Sequence, residues 1–353
     1  MFWMKRLTLA AACAGAASLA ACNDNLSPDT VSPEQLGAKL QTLSSAFDNN
    51  AAFQSLKVLS TSFPQYSVVA ALRAGSPQGV LPAEMARSVA VQQRAVRALA
   101  GMRAPTGTEA LFPADVLGKT LVWSTDSSRY VVGQQAGAPA NGVRILLYAV
   151  DPGTQEPVQP LQELGHLDLT DESTVQANRL GVLLTLGTST IASYYIQTVV
   201  NTYSVSLTSS GYLRSADGTQ QVDFTISSEF NSQTGVGTFT YDLRGSDGTV
   251  VHLVVSGSGN TGTILFRVAN GHNRIELAFD ATGQTTTGIV LFNGFLVATL
   301  DGTGSSVQIA ASGYNLTPAQ VGALVAIFGH CADLLGDFTD GVLGPAQVVR
   351  QLL

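Results

Sequence analysis

Cysteine, charge and known catalytic motifs are all scarce in this chain. It has 3 cysteines among 353 residues, and only 12% of its residues are charged. Cys13 and Cys22 lie near the N-terminus, which leaves Cys331 as the one thiol of the remaining chain. A single cysteine excludes an intramolecular disulfide and a cluster of thiolate metal ligands from that part of the protein.

Basic residues are too few and too dispersed to form a nucleic-acid surface. The 18 lysines and arginines are outnumbered by 25 acidic residues, and the formal net charge is −7. No basic stripe is present, which argues against nucleic acid as a partner. The same composition argues against electrostatic adsorption to anionic lipid.

Catalytic signatures are missing as well. The sequence contains no H-E-x-x-H, no G-x-S-x-G and no P-loop, so no enzyme class is indicated. The stretch GSGNTG at residues 257–262 does match G-x-G-x-x-G. An alternating strand pattern follows it, whereas a dinucleotide site needs a helix there, and the stretch is therefore interpreted as a hairpin loop. The sequence predicts no cofactor and no metal.

The clearest pattern lies at the N-terminus. Lys5 and Arg6 precede an uncharged apolar run at residues 7–17. The run is too short to span a bilayer, which takes about 20 residues, but it has the length of a signal-peptide core. Small residues and a cysteine then end the leader, in the order Leu19-Ala20-Ala21-Cys22.

This ending resembles the lipobox of bacterial lipoproteins, and the resemblance covers 22 residues. It implies that signal peptidase recognises Leu19, Ala20 and Ala21, that residues 1–21 are removed, and that Cys22 is lipidated. The alternative is an ordinary secretory leader cut at a nearby Ala-x-Ala-like site. Met4, directly before the basic pair, is an alternative start to Met1.

The lipoprotein resemblance implies a bacterial cell-envelope protein held to the membrane by an N-terminal lipid anchor. Asn23 follows Cys22, where an aspartate favours the inner membrane in some bacteria. The outer membrane is therefore expected, on its periplasmic or surface face. Residues 22–31 are expected to carry the lipid and form a flexible tether, whose root-mean-square reach is about 17 Å for ten residues.

Residues 32–104 are predicted to be helical. Ser32-Pro33-Glu34-Gln35 has a capping serine, a first-turn proline and a glutamine three residues after the cap, which is typical of a helix start. Leucines 36, 40 and 43 and Phe47 follow at the spacing of one helix face. Shorter apolar patterns predict two more helices, near residues 53–59 and 83–101.

From residue 105 onward the pattern is mainly that of strands. Short strands are predicted at 120–123, 129–132, 143–150 and 161–169. From 178 to about 312 the pattern is mostly that of a β-meander. Apolar and polar residues alternate in stretches within it, at 203–207, 222–226, 239–244, 264–268 and 275–279, which indicates an antiparallel sheet with one buried face and one wet face. Asx-Gly pairs at 217, 247, 270, 293 and 301 predict tight type I′ hairpins. Helical patterns close the chain.

The expected fold class is α+β, with a long antiparallel β-meander forming a curved sheet or half-barrel that N-terminal and C-terminal helices cover. Residues 105–353 are expected to hold the sheet and the C-terminal helices, packed with residues 32–104 as one domain. This layout resembles periplasmic lipid carriers of the LolA/LolB type and related mycobacterial lipoproteins, although no sequence motif carries the resemblance. It implies an apolar cavity between sheet and helices.

Two groups of side chains are candidate chemical sites. His166, Asp168, Asp171 and Glu172 crowd together, and a strand would place His166 and Asp168 on one face, as half of a metal or acid–base site. Asp171 is predicted to lie in the following turn. His330 and Cys331 are neighbours on the C-terminal helix with Asp333 nearby, and adjacent helix positions do not face each other. Cys331 is therefore interpreted as a buried apolar residue.

Three functions stay open at this point. The first is a non-enzymatic envelope protein that binds an apolar or lipid-like ligand or serves a structural role. The second is a secreted hydrolase that uses His166, Asp168, Asp171 and Glu172. The third is a surface adhesion or assembly module. If the protein binds an apolar ligand, the ligand groove is expected to be lined by Trp123, Tyr130 and Tyr148. A core or cross-strand role is the default for such aromatics. Protein partners are not predicted.

Overall fold

The computed structural model describes residues 33–48, 55, 111–151, 154, 156–258, 261–283, 285–303, 306–312, 317, 320, 322–323, 326–327, 342–346 and 348–349. Several predictions therefore lie outside the described residues. They are the leader with Leu19, Ala20, Ala21 and Cys22, the helix over 83–101, and the group His330, Cys331 and Asp333.

Within the described residues the chain forms one helix of sixteen residues and fifteen strands. The helix, α1, is Pro33–Asp48 and begins at the proline that the capping pattern places first. The strands are β1 Thr120–Ser124, β2 Arg129–Val132, β3 Gly142–Tyr148, β4 Glu163–Asp171, β5 Asn178–Leu186, β6 Ser189–Val200, β7 Ser204–Arg214, β8 Gln221–Asn231, β9 Gly237–Gly245, β10 Thr249–Ser258, β11 Thr261–Asn270, β12 Asn273–Thr282, β13 Thr285–Phe292, β14 Phe295–Thr303 and β15 Ser306–Ala311. Further helical residues are 55, 320, 322–323, 326–327, 342–346 and 348–349.

All fifteen strands belong to one open sheet. Its order is β15 through β3 in reverse sequence, followed by β1 and β2. Each strand from β3 to β15 pairs with its sequence neighbour in antiparallel register, so the predicted meander over residues 178–312 is confirmed. Local connections make such a meander simple to form, because each strand pairs with the one just before it.

The expectation of a purely antiparallel sheet is wrong at one place. β1 and β3 are parallel, with Thr120 opposite Arg144 and Leu121 opposite Ile145. The cause is the segment 133–141, which leaves the β1–β2 hairpin and returns to the start of β1 before β3 begins. β3 therefore runs in the direction of β1 and occupies its free side.

The sheet has two chemically distinct faces. On the face that we call the core face, successive strands place large apolar side chains side by side, and these are almost fully buried. One such row is Ile226, Tyr241, Leu253, Phe266, Leu277 and Val290. The opposite, outer face carries polar and charged residues at the alternating positions. One of its rows is Thr225, Asp242, His252, Arg267 and Glu276.

The hairpin turns fit the Asx-Gly predictions only in part. Asn293 and Gly294 have φ values of 51° and 86°, and two positive φ values in a two-residue loop are the mark of type I′. At 217–218, 247–248 and 270–271 only the glycine has a positive φ. Type I′ is therefore wrong at those three turns. Asp217-Gly218 and Asp247-Gly248 lie in loops longer than two residues, and Asn270 is the last residue of β11.

The turn predicted at Asp301-Gly302 is also wrong. Both residues lie within β14, which runs to Thr303. Asp301 pairs with Thr287 on one side and Gln308 on the other, so the ladder continues through it. Backbone pairing on both sides outweighs the local turn preference of an Asp-Gly pair.

Described helical residues also take part in the hydrophobic core. Leu36 and Leu40 on α1 are each 1% exposed and belong to the same buried cluster as the core face. Lys39 Nζ lies 3.5 Å from Asp247 Oδ2 in the β9–β10 turn. The Tyr194 hydroxyl on β6 donates to the Val342 carbonyl oxygen at 3.0 Å. Among the described residues, no helix is long and apolar enough to cross a membrane.

Candidate functional site

Strand β4 places His166 and Asp168 on the outer face, as the alternation predicts. Asp168 lies opposite Arg144 of β3. Arg144 donates from Nε to Oδ1 and from Nη2 to Oδ2 of this carboxylate, both at 2.7 Å. His166 Nε2 is 3.8 Å from Asp168 Oδ2, which is too long for a hydrogen bond. Asp168 is therefore bound by a bidentate guanidinium, the strongest arrangement for such a pair.

The electrostatics of this group favour a neutral histidine. Partial burial lowers the pKa of His166, and the positive charge of Arg144 lowers this pKa further. His166 is therefore uncharged at pH 7. The Asp168 carboxylate is bonded to Arg144, and the His166 imidazole is too far from that carboxylate for a hydrogen bond. Asp168 and Arg144 therefore act as an ion pair between β4 and β3.

Asp171 and Glu172 do not converge with His166 and Asp168. Asp171 is the last residue of β4 and does not lie in the following turn, because its own backbone extends the ladder to Leu180. Its carboxylate accepts hydrogen bonds from the Leu111 and Ser173 amides at 2.8 and 2.9 Å.

Glu172 belongs to a separate pair on the outer face. Its Oε2 lies 3.0 Å from Arg179 Nε, and the Arg179 guanidinium sits 3.9 Å above the centre of the Tyr195 ring. In the part of the chain that the structure describes, no three His, Cys, Asp or Glu side chains are grouped as metal ligands.

Two other sequence interpretations are confirmed. Ser258 ends β10 and Thr261 begins β11, so residues 257–262 span a hairpin that another strand follows. Trp123 and Tyr130 form a cross-strand pair with ring centres 5.5 Å apart and an edge-to-face angle of 78°. The Tyr130 hydroxyl donates to the Leu146 carbonyl oxygen at 3.0 Å.

The core face of β5–β14 is a mainly apolar surface that extends over ten strands. Alternation places every charged side chain of these strands on the outer face or at strand ends. The core face therefore presents aliphatic and aromatic groups with a few hydroxyls. An uncharged apolar surface of this kind suits burial of apolar material and offers no acid–base chemistry.

Three hydroxyls on this face were missed by sequence reasoning. Thr198, Ser209 and Ser228 lie on β6, β7 and β8, and their exposed fractions are 9%, 0% and 8%. We call them the hydroxyl cluster. A signal was present in β7, where Ser209 falls in phase with the apolar Leu207 and Leu213. Because β7 contains several other serines and threonines, a polar residue at this apolar position did not stand out in the sequence.

Asp168→Ala is expected to lower the free energy of unfolding by about 2 kcal/mol, because it leaves a half-buried guanidinium without its partner. His166→Gln is the control, and a change below about 0.5 kcal/mol is expected because no hydrogen bond is lost. Urea unfolding measures both values. Equal destabilisation by the two substitutions would contradict the assignment of Arg144 as the partner of Asp168.

Comparison of the chain with protein-family models, with curated proteins and with solved structures gives no match.

Proposed function

We propose that this protein is a lipid-anchored component of the bacterial cell envelope, without enzymatic activity, that binds a neutral apolar or lipid-like ligand against the core face of its sheet. The outer membrane is the proposed location. The lipobox resemblance of residues 19–22 and the Asn at position 23 support the anchor and its placement.

The observation that carries the ligand proposal is the core face itself. It is apolar and free of charge across ten consecutive strands, β5–β14. A sheet that served only as a scaffold could be far narrower, since sheets usually have four to six strands. A wide apolar face is the surface that a lipid-like molecule recognises.

We also propose that helices at both ends of the chain cover this face. The burial of Leu36 and Leu40 within the sheet's hydrophobic cluster supports this for α1. The bond from Tyr194 to the Val342 carbonyl, together with the burial of Val348 and Val349, supports it for the C-terminal residues. Coverage of this kind keeps the apolar face away from water, and we propose that the ligand binds between the helices and the sheet.

The experiment that tests ligand binding uses the full chain carrying Cys22→Ser, so that no acyl chain competes for the site. We expect 1-aminoanthracene, a neutral apolar fluorophore, to bind with a saturable increase in fluorescence near one molecule per chain. Fluorescence that rises linearly with probe, or that appears only when the protein unfolds, would contradict an internal apolar site.

An assembly role is the second candidate, and the open sheet is the observation that favours it. The sheet ends at β2 and at β15 and does not close on itself. Terminal strands can pair with a strand of another chain through backbone hydrogen bonds. The Val132 N–H points away from β1, so self-association of the full chain that Val132→Pro on β2 abolishes would favour this candidate. No described contact favours the hydrolase alternative: Asp168, Asp171 and Glu172 each have a different bonding partner, and His166 is too far from Asp168 for a hydrogen bond.

A further inference from the structure

We infer that the hydroxyl cluster, Thr198, Ser209 and Ser228, binds the polar end of the ligand and selects one that carries a neutral hydrogen-bond acceptor, such as an ester carbonyl. The inference rests on the proposed function, because it assigns the hydrogen-bonding end of the same site.

The register of three strands brings these hydroxyls together. Ser209 of β7 lies opposite Ile196 of β6 and Ile226 of β8. Thr198 and Ser228 both lie opposite Leu207, two residues before Ser209 on the same strand. Each is thus a diagonal neighbour of Ser209 on the core face, at a Cα separation of about 7–8 Å. One carbonyl oxygen between them can accept more than one hydrogen bond.

The hydroxyls of the cluster lack protein partners. Ser209 Oγ is fully buried and has no hydrogen-bond partner. Neither Thr198 nor Ser228 makes a side-chain hydrogen bond to any residue that the structure describes. Buried polar groups normally have a partner, so the unpartnered Ser209 Oγ, with two further hydroxyls beside it, points to a partner that is not protein.

Two other hydroxyls on the core face bond to described protein groups. Thr249 Oγ1 accepts a hydrogen bond from Asn270 Nδ2 at 2.8 Å. Tyr194 donates to the Val342 carbonyl oxygen. Thr286 on β13 is 8% exposed and makes no side-chain hydrogen bond to a described residue, but it lies alone, five strands from the cluster. This isolated threonine supplies a matched control for Thr198.

The chemistry of the cluster restricts the ligand class. Each hydroxyl donates one hydrogen bond and carries no charge. No Lys, Arg or His of β5–β14 lies on the core face to pair with an anion. A buried carboxylate or phosphate without a cation is strongly disfavoured. The site therefore suits an uncharged ester or amide on a long apolar chain, in preference to a free fatty acid.

The test compares two probes of equal apolar length, methyl oleate and 8-heptadecene, as competitors of 1-aminoanthracene. The protein is the full chain with Cys22→Ser. The test variant adds Thr198→Val, Ser209→Ala and Ser228→Ala, and a second variant adds Ser209→Ala alone. The control adds Thr286→Val, which has the same side-chain change as Thr198→Val at a similarly buried threonine of the same face.

We expect the ratio of the two dissociation constants, hydrocarbon over ester, to fall about tenfold in the triple variant, since one net hydrogen bond is worth about that factor. A smaller fall is expected for Ser209→Ala, and no change for Thr286→Val. The melting temperature without probe should stay the same or rise, because an unpartnered buried hydroxyl is lost. A structural role would lower it instead.

Two results would overturn the inference. One leaves the proposed function standing, and the other refutes the proposed function as well. An equal ratio in the parent protein and the triple variant would refute the hydroxyl cluster as the acceptor site and leave apolar ligand binding intact. Absence of saturable displacement by either probe would refute the proposed function together with the inference.

Discussion

Replacing Cys22 with alanine is expected to release the protein almost completely from the membrane fraction. The lipobox resemblance makes this thiol the attachment point of the acyl chains. Each buried methylene contributes about 0.8 kcal/mol to membrane binding, and stable anchoring takes two or more chains. Without them, no electrostatic attraction to anionic lipid compensates, since the chain is acidic.

Fractionation of cells that produce the native and the Cys22→Ala chains measures this release, and the intact mass of the membrane-bound form identifies the modification. Cys331→Ala is the control, and it should stay in the membrane fraction with its acyl mass unchanged. An unmodified native protein, or a native N-terminus away from Cys22, would contradict the lipoprotein interpretation and support a freely secreted protein.

Gly165→Ala is expected to lower the free energy of unfolding by about 3 kcal/mol, one of the largest effects of any single methyl group in this chain. Gly165 lies in β4 between Leu147 of β3 and Leu186 of β5. The β3–β4 ladder shifts register beside it, between Leu147 and Tyr148. A β-carbon at this position would overlap the Thr185 carbonyl oxygen and lie 2.9 Å from the Leu186 Cα.

The obstacle at Gly165 is backbone of a neighbouring strand, which cannot turn aside as a flexible side chain can. Gly322→Ala is the control, because a β-carbon there meets nothing within 4 Å and the residue is helical. Alanine in a helix is favoured over glycine by about 0.5–1 kcal/mol, so this control should be neutral or stabilising. Chemical unfolding compares the two, and a Gly165→Ala loss below about 1 kcal/mol would show that the ladders can relax.

The sequence was sufficient to predict β7, β8, β9, β11 and β12, and the reason is local. Each of these strands alternates polar and apolar residues over about ten positions, and most of the turns contain a glycine with positive φ. Neither property depends on distant parts of the chain. The parallel pairing of β1 with β3 could not be predicted, because it is decided by how segment 133–141 returns across the sheet.

The same distinction holds for candidate sites. His166 and Asp168 share a face as predicted, but the partner that determines their chemistry, Arg144, is 24 residues away on another strand. Its role follows from the register of β3 against β4, which a single sequence does not show. Ser209 was missed for a related reason. Its burial depends on the alignment of β6, β7 and β8.

The central claim is that the core face holds a neutral apolar ligand, and the most direct measurement is the mass spectrum of an organic extract. The protein is purified from its native membrane beside the triple variant of the hydroxyl cluster. We predict one neutral ester- or amide-bearing lipid at close to one molecule per native chain, and much less with the variant. An extract containing only bulk membrane phospholipid, at equal levels in both samples, would contradict the claim.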